Sequence, residues 1–190
     1  AKKLLGLKLR IVAPSHGVIW RTYFDRILQD YLRWHVSTPT RKVVIFYATM
    51  WQSTRRMAEA VAEGANESDV SVKLFDLKAV GDTELITELM DCAAFACGTP
   101  TLNQSLMPRM AAALTYARGL KPAGKKAFTF GSYGWASKGA EEAEGYLKAF
   151  GCELVAAPIT CRFAPTPETL EACRSAGRLL GQAAAAIPQA

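Results

Sequence analysis

The sequence predicts an α/β protein built on a doubly wound parallel sheet of five strands. Strand-like segments alternate with helix-like segments five times over most of the 190 residues. The strand-like segments are nearly continuous hydrophobic runs, which is typical of parallel strands that are buried on both faces. Helices fit between successive strands as right-handed crossovers, so we expect helices on both faces of the sheet.

Each element can be assigned to a stretch of the chain. The predicted strands cover residues 42–48, 70–76, 93–98, 125–131 and 152–160. The predicted helices cover residues 54–65, 82–91, 107–118, 138–150 and 167–185. The start of the last helix is well marked, because Thr166 precedes Pro167 and proline fits the first helical position. Ahead of this alternation, a short strand at 7–13 and a helix at 20–34 are predicted to form an N-terminal extension.

The loop after the first strand has the features of a phosphate site. The apolar run ends at Tyr47, hydroxyl side chains follow at Thr49, Ser53 and Thr54, and a helix pattern then begins. A helix N-terminus offers unpaired N–H groups and the positive end of its dipole to an anion. The loop lacks the glycines and the lysine of nucleoside-triphosphate and dinucleotide loops, which favours a single phosphate monoester such as that of FMN. The alternative is that Ser53 or Thr54 only caps the helix.

Two further loops follow predicted strands, at the edge where ligands bind in open α/β sheets. Residues 98–104 follow the third strand, and residues 131–135 follow the fourth. Together with Trp51 they supply aromatic faces, small residues and polar partners, which suit a planar heterocycle. The aromatic side chains could instead belong to the core, although Tyr133 and Trp135 lie among glycines beyond a strand end.

A phosphorylated receiver domain has a similar alternation of five units, but the residue types exclude it. A receiver needs carboxylates at the ends of its first and third strands to hold Mg²⁺ and to accept the phosphoryl group. Here those ends have the sequences Tyr47-Ala48 and Gly98-Thr99.

The net charge of +6 belongs to the leading segment of the chain. Residues 1–42 carry nine Lys or Arg and two Asp, and the remaining residues are close to neutral. Because the basic residues are spread singly along a predicted strand and helix, we expect no nucleic-acid binding. No apolar run is long enough to cross a bilayer, so we expect no membrane association.

The five cysteines predict a reducing compartment. Their number is odd, none forms a Cys-x-x-Cys pair, and several fall in apolar strand-like runs. These features favour buried thiols for all five over a disulfide framework, and we expect a cytoplasmic protein. The chain begins with Ala1 rather than Met, which is consistent with a processed product or with a piece of a longer protein, and we favour the piece.

Four motifs give the chain a family resemblance. They are Pro14-Ser15-His16-Gly17 with Ile19-Trp20-Arg21, the loop from Tyr47 to Thr54, Pro100-Thr101-Leu102-Asn103, and Gly131-Ser132-Tyr133-Gly134-Trp135. Together they resemble the C-terminal part of a flavodiiron protein, or A-type flavoprotein. This family joins a β-lactamase-like domain with a diiron centre to a flavodoxin-like domain that binds FMN. The resemblance implies the strand order 2-1-3-4-5, with residues 1–40 as the end of the metallo-β-lactamase-like domain and linker, and residues 41–190 as the flavodoxin-like domain.

The resemblance also implies which residues form the FMN site. Phosphate contacts are expected from Thr49, Met50, Trp51, Gln52, Ser53 and Thr54. The ring is expected to lie between Pro100, Thr101, Leu102 and Asn103 on one side and Ser132, Tyr133, Gly134 and Trp135 on the other. His16 resembles the last ligand of the diiron site, whose other ligands would lie outside this chain. We therefore expect His16 to bind iron only in an intact diiron protein, and we expect no catalytic residue here.

These implications lead to an expected function and to two alternatives. The chain would transfer electrons through FMN, from a partner such as rubredoxin or a flavin- or NADH-linked reductase to a diiron centre that reduces O₂ or NO. The family also implies a homodimer or a larger assembly of the intact protein. The alternatives are a stand-alone flavodoxin-like NAD(P)H or quinone reductase, and a docking module that has lost its flavin.

Overall fold

A computed structural model describes residues 6–36 and 38–188 of the chain. The chain divides into two compact units, residues 1–38 and residues 39–190. Among the described residues, no helix has both the length and the apolar character that a membrane span requires.

The described residues of the first unit, 6–36 and 38, form one helix, α1 (Phe24–Val36), and little extended structure. The prediction of a strand at 7–13 is wrong, because Val12 alone in this segment pairs with another part of the chain, and an extended segment without a neighbour forms no ladder. Val12 and Trp20 exchange backbone hydrogen bonds of 2.9 and 2.8 Å. This bridge holds Trp20 in extended conformation, so the helix begins at Phe24 rather than at the predicted residue 20.

The second unit contains the predicted parallel sheet. The strands of this unit are β1 (Thr40–Tyr47), β2 (Ser71–Asp76), β3 (Cys92–Gly98), β4 (Thr101–Leu102), β5 (Ser105–Leu106), β6 (Lys126–Tyr133), β7 (Glu153–Leu154) and β8 (Ile159–Arg162). β4 and β5 form a separate pair outside the parallel sheet. The helices of this unit are α2 (Ser53–Ala65), α3 (Asp82–Asp91), α4 (Pro108–Leu120), α5 (Gly139–Phe150) and α6 (Pro167–Ala185). The order of the large sheet is β2-β1-β3-β6-β7, with β8 also paired to β6, and all these pairs are parallel. The predicted order 2-1-3-4-5 is confirmed.

The fifth strand position is shared by two short strands rather than filled by the single predicted strand at 152–160. β7 pairs with the start of β6, where Glu153 lies opposite Lys126. β8 pairs with the end of β6, where Ile159 lies opposite Phe130. Pro158 precedes β8 and has no N–H to donate to a ladder, which explains the interruption at this edge position.

Helices cover both faces of the sheet, and successive residues of β1 alternate between the two faces. Val43 and Ile45 pack in the core that α2 and α6 complete, whereas Val44 and Phe46 pack in the core of α3, α4 and α5. All four side chains are buried. Burial on both faces is the reason that the sequence of β1 has no polar alternation.

The cysteines are free thiols. Cys92, Cys97, Cys161 and Cys173 are buried, as predicted, whereas Cys152 is only half-buried. Burial raises the pKa of Cys92 and of Cys173 to about 12, so both thiols stay protonated and unreactive near neutral pH.

Glycines allow α2 and α6 to cross in close contact. A Cβ atom on Gly177 would lie 2.1 Å from the Val61 carbonyl oxygen, and one on Gly64 would lie 2.0 Å from the Arg174 carbonyl oxygen. These positions therefore have room only for hydrogen. The crossing matters for the site described below, because the first turn of α2 borders it.

We predict that Gly177→Ala destabilises the protein by about 1–3 kcal/mol, because the new methyl group forces the two helix backbones apart. The matched control is Gly145→Ala in α5, where a Cβ atom meets nothing within 4 Å. There the exchange should stabilise the protein by up to about 1 kcal/mol through helix propensity. Denaturant unfolding of both variants measures the two effects, and a Gly177→Ala variant as stable as the wild type would contradict the close crossing.

Candidate functional site

The carboxyl ends of β1, β3, β6 and β8 surround a cleft of about 790 Å³. It is lined by Met50, Trp51, Ser53, Pro100, Thr101, Leu102, Asn103, Gln104, Ser132, Tyr133, Gly134, Trp135, Ala136, Phe163 and Ala164. Three loops predicted to share a ligand are thus brought together. No charged side chain occurs among these lining residues.

The loop that leads into α2 leaves the N-terminus of that helix without a side-chain cap. Gln52 is the N-cap residue, with a φ of 69°, and its side chain makes no capping hydrogen bond. Ser53 and Thr54 lie inside the first turn rather than at the cap position, so the alternative that one of them only caps the helix is wrong. The first-turn N–H groups therefore remain available to an anion.

Two hydroxyl groups of this loop are buried in different ways. The Thr54 Oγ1 lies 3.2 Å from the Ser132 Oγ and joins the ends of β1 and β6. The side chain of Thr49 is 2% exposed, and its Oγ1 finds no hydrogen-bond partner among the described residues. An unpaired buried hydroxyl costs roughly 1–3 kcal/mol, which a bound acceptor could offset.

Of the six residues predicted to contact a phosphate, three line the cleft and three do not. Met50, Trp51 and Ser53 line the cleft. Thr49, Gln52 and Thr54 belong to the same loop but are not among the lining residues, and Thr49 and Thr54 are buried.

The second loop forms a small hairpin that the sequence analysis missed. β4 and β5 pair antiparallel and define the cleft hairpin, residues 101–106. Asn103 and Gln104 connect the two strands with φ values of 50° and 58°, as a two-residue type I′ turn requires. The sequence does contain a signal for this turn. Asn103, a residue type that tolerates positive φ, lies between Thr101-Leu102 and Ser105-Leu106, two pairs that each combine a hydroxyl and an apolar residue.

The cleft hairpin is fastened to α5. The Thr101 Oγ1 accepts hydrogen bonds from the backbone N–H groups of Lys138 (3.2 Å) and Gly139 (3.0 Å). The Glu142 carboxylate accepts hydrogen bonds from the Ser105 hydroxyl (2.6 Å) and the Leu106 N–H (3.1 Å). The hydroxyl of Thr101 therefore binds the start of α5. The rest of this loop and the methyl group of Thr101 remain available for the predicted contact with the flavin ring.

The third loop continues from β6, which ends at Tyr133, two residues later than predicted. A Cβ atom on Gly131 would lie 1.9 Å from the Thr99 carbonyl oxygen, so glycine is required where β3 and β6 end. Trp135 is 93% exposed and Trp51 is 88% exposed. The alternative that these tryptophans belong to the core is wrong, and both line the cleft.

Four residues of the cleft lining were not among the predicted site residues. Gln104 belongs to the identified loop 98–104 but was not assigned a contact, Ala136 follows the identified loop 131–135, and Phe163 and Ala164 follow β8. Only the loops after the first, third and fourth strands had been considered. The carboxyl end of the fifth strand lies at the same edge of the sheet, and this general rule would have drawn attention to Phe163.

The remaining predicted site residue, His16, lies exposed in the first unit. Within the described part of the chain, no three His, Cys, Asp or Glu side chains group together as metal ligands would.

Comparison with known proteins identifies the family. Residues 45–177 match the model of the flavodoxin family. This chain belongs to the flavodoxin family. It is 38% identical over 175 residues to a nitric oxide reductase of Moorella thermoacetica, covering 92% of this chain and 44% of that protein.

Two solved structures are also similar. The rubredoxin:oxygen oxidoreductase of Desulfovibrio gigas has a TM-score of 0.89 at 32% identity, covering 100% of this chain and 48% of that one. The flavodiiron protein of Giardia intestinalis has a TM-score of 0.86 at 31% identity, covering 94% of this chain and 45% of that one. The chain therefore spans a little under half the length of these relatives.

These findings confirm the resemblance inferred from the four motifs. This flavodoxin-family chain corresponds to the C-terminal flavodoxin-like part of flavodiiron proteins. Its cofactor is FMN, and its role is FMN-dependent electron transfer. The two alternative functions, a stand-alone reductase and a flavin-free docking module, are not favoured.

We predict that Thr101→Val destabilises this flavodoxin domain by roughly 1–2 kcal/mol, because the first N–H groups of α5 lose their acceptor. Thr101→Ser keeps the hydroxyl and should restore most of the loss. Chemical denaturation without added flavin measures both variants. Equal stability of the valine variant and the wild type would mean that the hydroxyl does not fasten the cleft hairpin.

Proposed function

We propose that this chain is the flavin domain of an oxygen or nitric oxide reductase. It accepts electrons from an external redox protein and passes them to a diiron centre outside this chain. The names of two similar proteins, a nitric oxide reductase and a rubredoxin:oxygen oxidoreductase, support this assignment. The observation that carries the FMN site itself is the buried, unpaired Thr49 hydroxyl beside an uncapped helix N-terminus.

In this proposal, residues 49–54 hold the FMN phosphate. The N–H groups of the first turn of α2 donate to the phosphate oxygens, and the dipole of that helix stabilises the negative charge. The hydroxyl groups of Thr49 and Ser53 donate in addition. Thr54 contributes mainly by holding the loop against Ser132, through its 3.2 Å contact.

The isoalloxazine ring of FMN is proposed to occupy the space between the cleft hairpin and the loop that follows β6. Pro100, Leu102 and Asn103 contact it from one side, and Tyr133, Gly134 and Trp135 contact it from the other. FMN when bound supplies the redox chemistry, and the chain positions it and limits the access of water. The exposed faces of Trp51 and Trp135 fit this role, because they offer apolar area that the free domain leaves in water.

The test of the site is FMN binding by Thr49→Val, an exchange of similar volume that removes the unpaired hydroxyl. We expect the FMN dissociation constant to rise about tenfold or more, because a hydrogen bond to a charged group is lost. The flavin-free variant should be at least as stable as the wild type, since no hydrogen bond of the free protein is broken. Visible absorption and flavin fluorescence measure binding, and thermal unfolding measures stability.

The matched control is Thr129→Val, which removes a buried hydroxyl that donates to the Ala140 carbonyl oxygen at 2.9 Å. This control should lose stability and keep its affinity for FMN. The proposed site is overturned if Thr49→Val binds FMN as tightly as the wild type. A wild-type chain that retains no flavin after desalting would overturn the proposed function as a whole.

The partners of the domain follow from the same proposal. The electron donor is proposed to be rubredoxin or a flavin- or NADH-linked reductase, the intact protein a homodimer or larger assembly, and the location the cytoplasm. His16 is proposed to complete the diiron site only in an intact diiron protein.

We predict that reduced rubredoxin bleaches the flavin absorption of the FMN-loaded chain in a stopped-flow mixture, without any other protein. NADH alone should bleach it far more slowly, because no lysine or arginine lines the cleft to bind the phosphates of a nicotinamide nucleotide. Rapid bleaching by NADH and none by rubredoxin would reverse the assignment of the donor.

A further inference from the structure

Phe163 is the one aromatic residue of the cleft lining that the proposed FMN contacts leave out. Phe163 follows β8 directly and lines the cleft, yet its side chain is 60% exposed. Its backbone has a φ of 62°, in the left-handed region that aromatic residues rarely adopt. An exposed side chain gains little from packing, so burial of the ring does not account for this conformation.

Backbone and side-chain contacts hold Phe163 firmly in place. Its N–H donates to the Tyr133 carbonyl oxygen at 2.8 Å. The neighbouring Arg162 donates from Nε to the Gly134 carbonyl oxygen at 2.9 Å, and its guanidinium carbon lies 5.0 Å from the centre of the Phe163 ring. A cation over an aromatic face at this distance is attracted to the ring. Residues 162–163 are thus clamped to the loop that follows β6.

Backbone strain is concentrated at the same edge of the protein. In the described part of the chain, six residues other than glycine have positive φ. Four of them, Gln52, Asn103, Gln104 and Phe163, belong to loops that form the cleft. Strained conformations that the surrounding structure maintains are typical of ligand sites. The strain at Phe163 therefore points to a ligand-contacting role rather than to a packing defect.

We propose that Phe163 is a third aromatic wall of the FMN cleft and that Arg162, which positions it, raises the reduction potential of the bound flavin. The proposal rests on the assignment of the cleft to FMN. Phe163 lines the cleft from the end of β8, whereas Trp51 belongs to the loop after β1 and Trp135 to the loop after β6. No residue that lines the cleft is charged, so the guanidinium of Arg162 has no opposing carboxylate in the lining. A nearby positive charge stabilises added electrons.

The first test exchanges Phe163 for glycine. The FMN dissociation constant should rise at least fivefold, because a ring contact is lost, while the melting temperature without flavin should stay equal or rise, because glycine adopts a positive φ without strain. Phe163→Trp keeps an aromatic wall and should bind within twofold of the wild type. Lys121→Gly is the matched control for strain: Lys121 has a φ of 50° at the C-cap of α4, outside the cleft lining. Its affinity for FMN should not change.

The second test removes the charge of Arg162. Arg162→Gln should weaken the binding of reduced FMN about tenfold more than that of oxidised FMN, which corresponds to a potential lower by about 30 mV for a two-electron couple. Arg162→Lys keeps the charge but not the planar stacking, so it should hold the potential and weaken both affinities. Lys126→Gln, at the opposite end of β6, is the control with the same change of charge and should leave the potential unchanged.

The outcomes separate this proposal from the one on which it rests. If the wild-type chain binds FMN but Phe163→Gly binds it within twofold as tightly, Phe163 is not a wall of the site. If Phe163→Gly binds weakly and also melts at a lower temperature without flavin, the residue is structural and the proposal fails. If Arg162→Gln and Lys126→Gln shift the potential equally, the guanidinium has no specific effect. Failure of the wild-type chain to bind FMN would instead overturn the proposed function.

Discussion

The cleft depends on the close approach of β3 and β6 at their carboxyl ends. A Cβ atom on Gly98 would lie 2.2 Å from the Phe130 ring, and one on Gly131 would lie 1.9 Å from the Thr99 carbonyl oxygen. Only glycine fits at either position. Because the two strands close up here, the loops that follow them begin side by side, and the Thr54 hydroxyl can reach Ser132. Larger residues would separate the loops and open the cleft along its length.

Among the described residues, most buried threonine hydroxyls around this edge make hydrogen bonds within the fold, and that of Thr49 does not. The Thr99 Oγ1 donates to the Pro100 carbonyl oxygen and accepts from the Met107 N–H, each at 3.0 Å, and thereby shapes the start of the third-strand loop. The hydroxyl of Thr101 serves α5, and that of Thr129 donates to Ala140. Against this background of satisfied groups, the unpaired hydroxyl of Thr49 is the exception, and exceptions of this kind are expected where a ligand completes the structure.

Structural features that depend on hydrophobic burial could be predicted from the sequence, whereas features that depend on backbone geometry could not. The strands, their order and the crossover helices follow from apolar runs such as 42–48, whose burial on both faces leaves few alternatives. The cleft hairpin depends on positive φ values at Asn103 and Gln104, and the break in the fifth strand depends on Pro158, so neither has a hydrophobic signature. The segment 7–13, wrongly predicted as a strand, has the apolar pattern of a strand. A strand also needs a neighbouring strand to pair with, and the pattern of one segment does not show whether such a neighbour exists. Phe163 was missed for a related reason, since its position depends on the pairing of β8 with β6.

The crossing of α2 and α6 has a consequence for the order of events in synthesis and folding. α2 carries the phosphate loop at its start, and its far side is covered by a helix that the ribosome makes much later; the ion pair between Arg174 and Glu63 spans 111 positions of the chain. Contacts of such separation form late, because a long loop must close first. A nascent chain that still lacks α6 has the loop residues but not the packed helix that holds them. We therefore expect flavin binding to follow the docking of α6 onto α2.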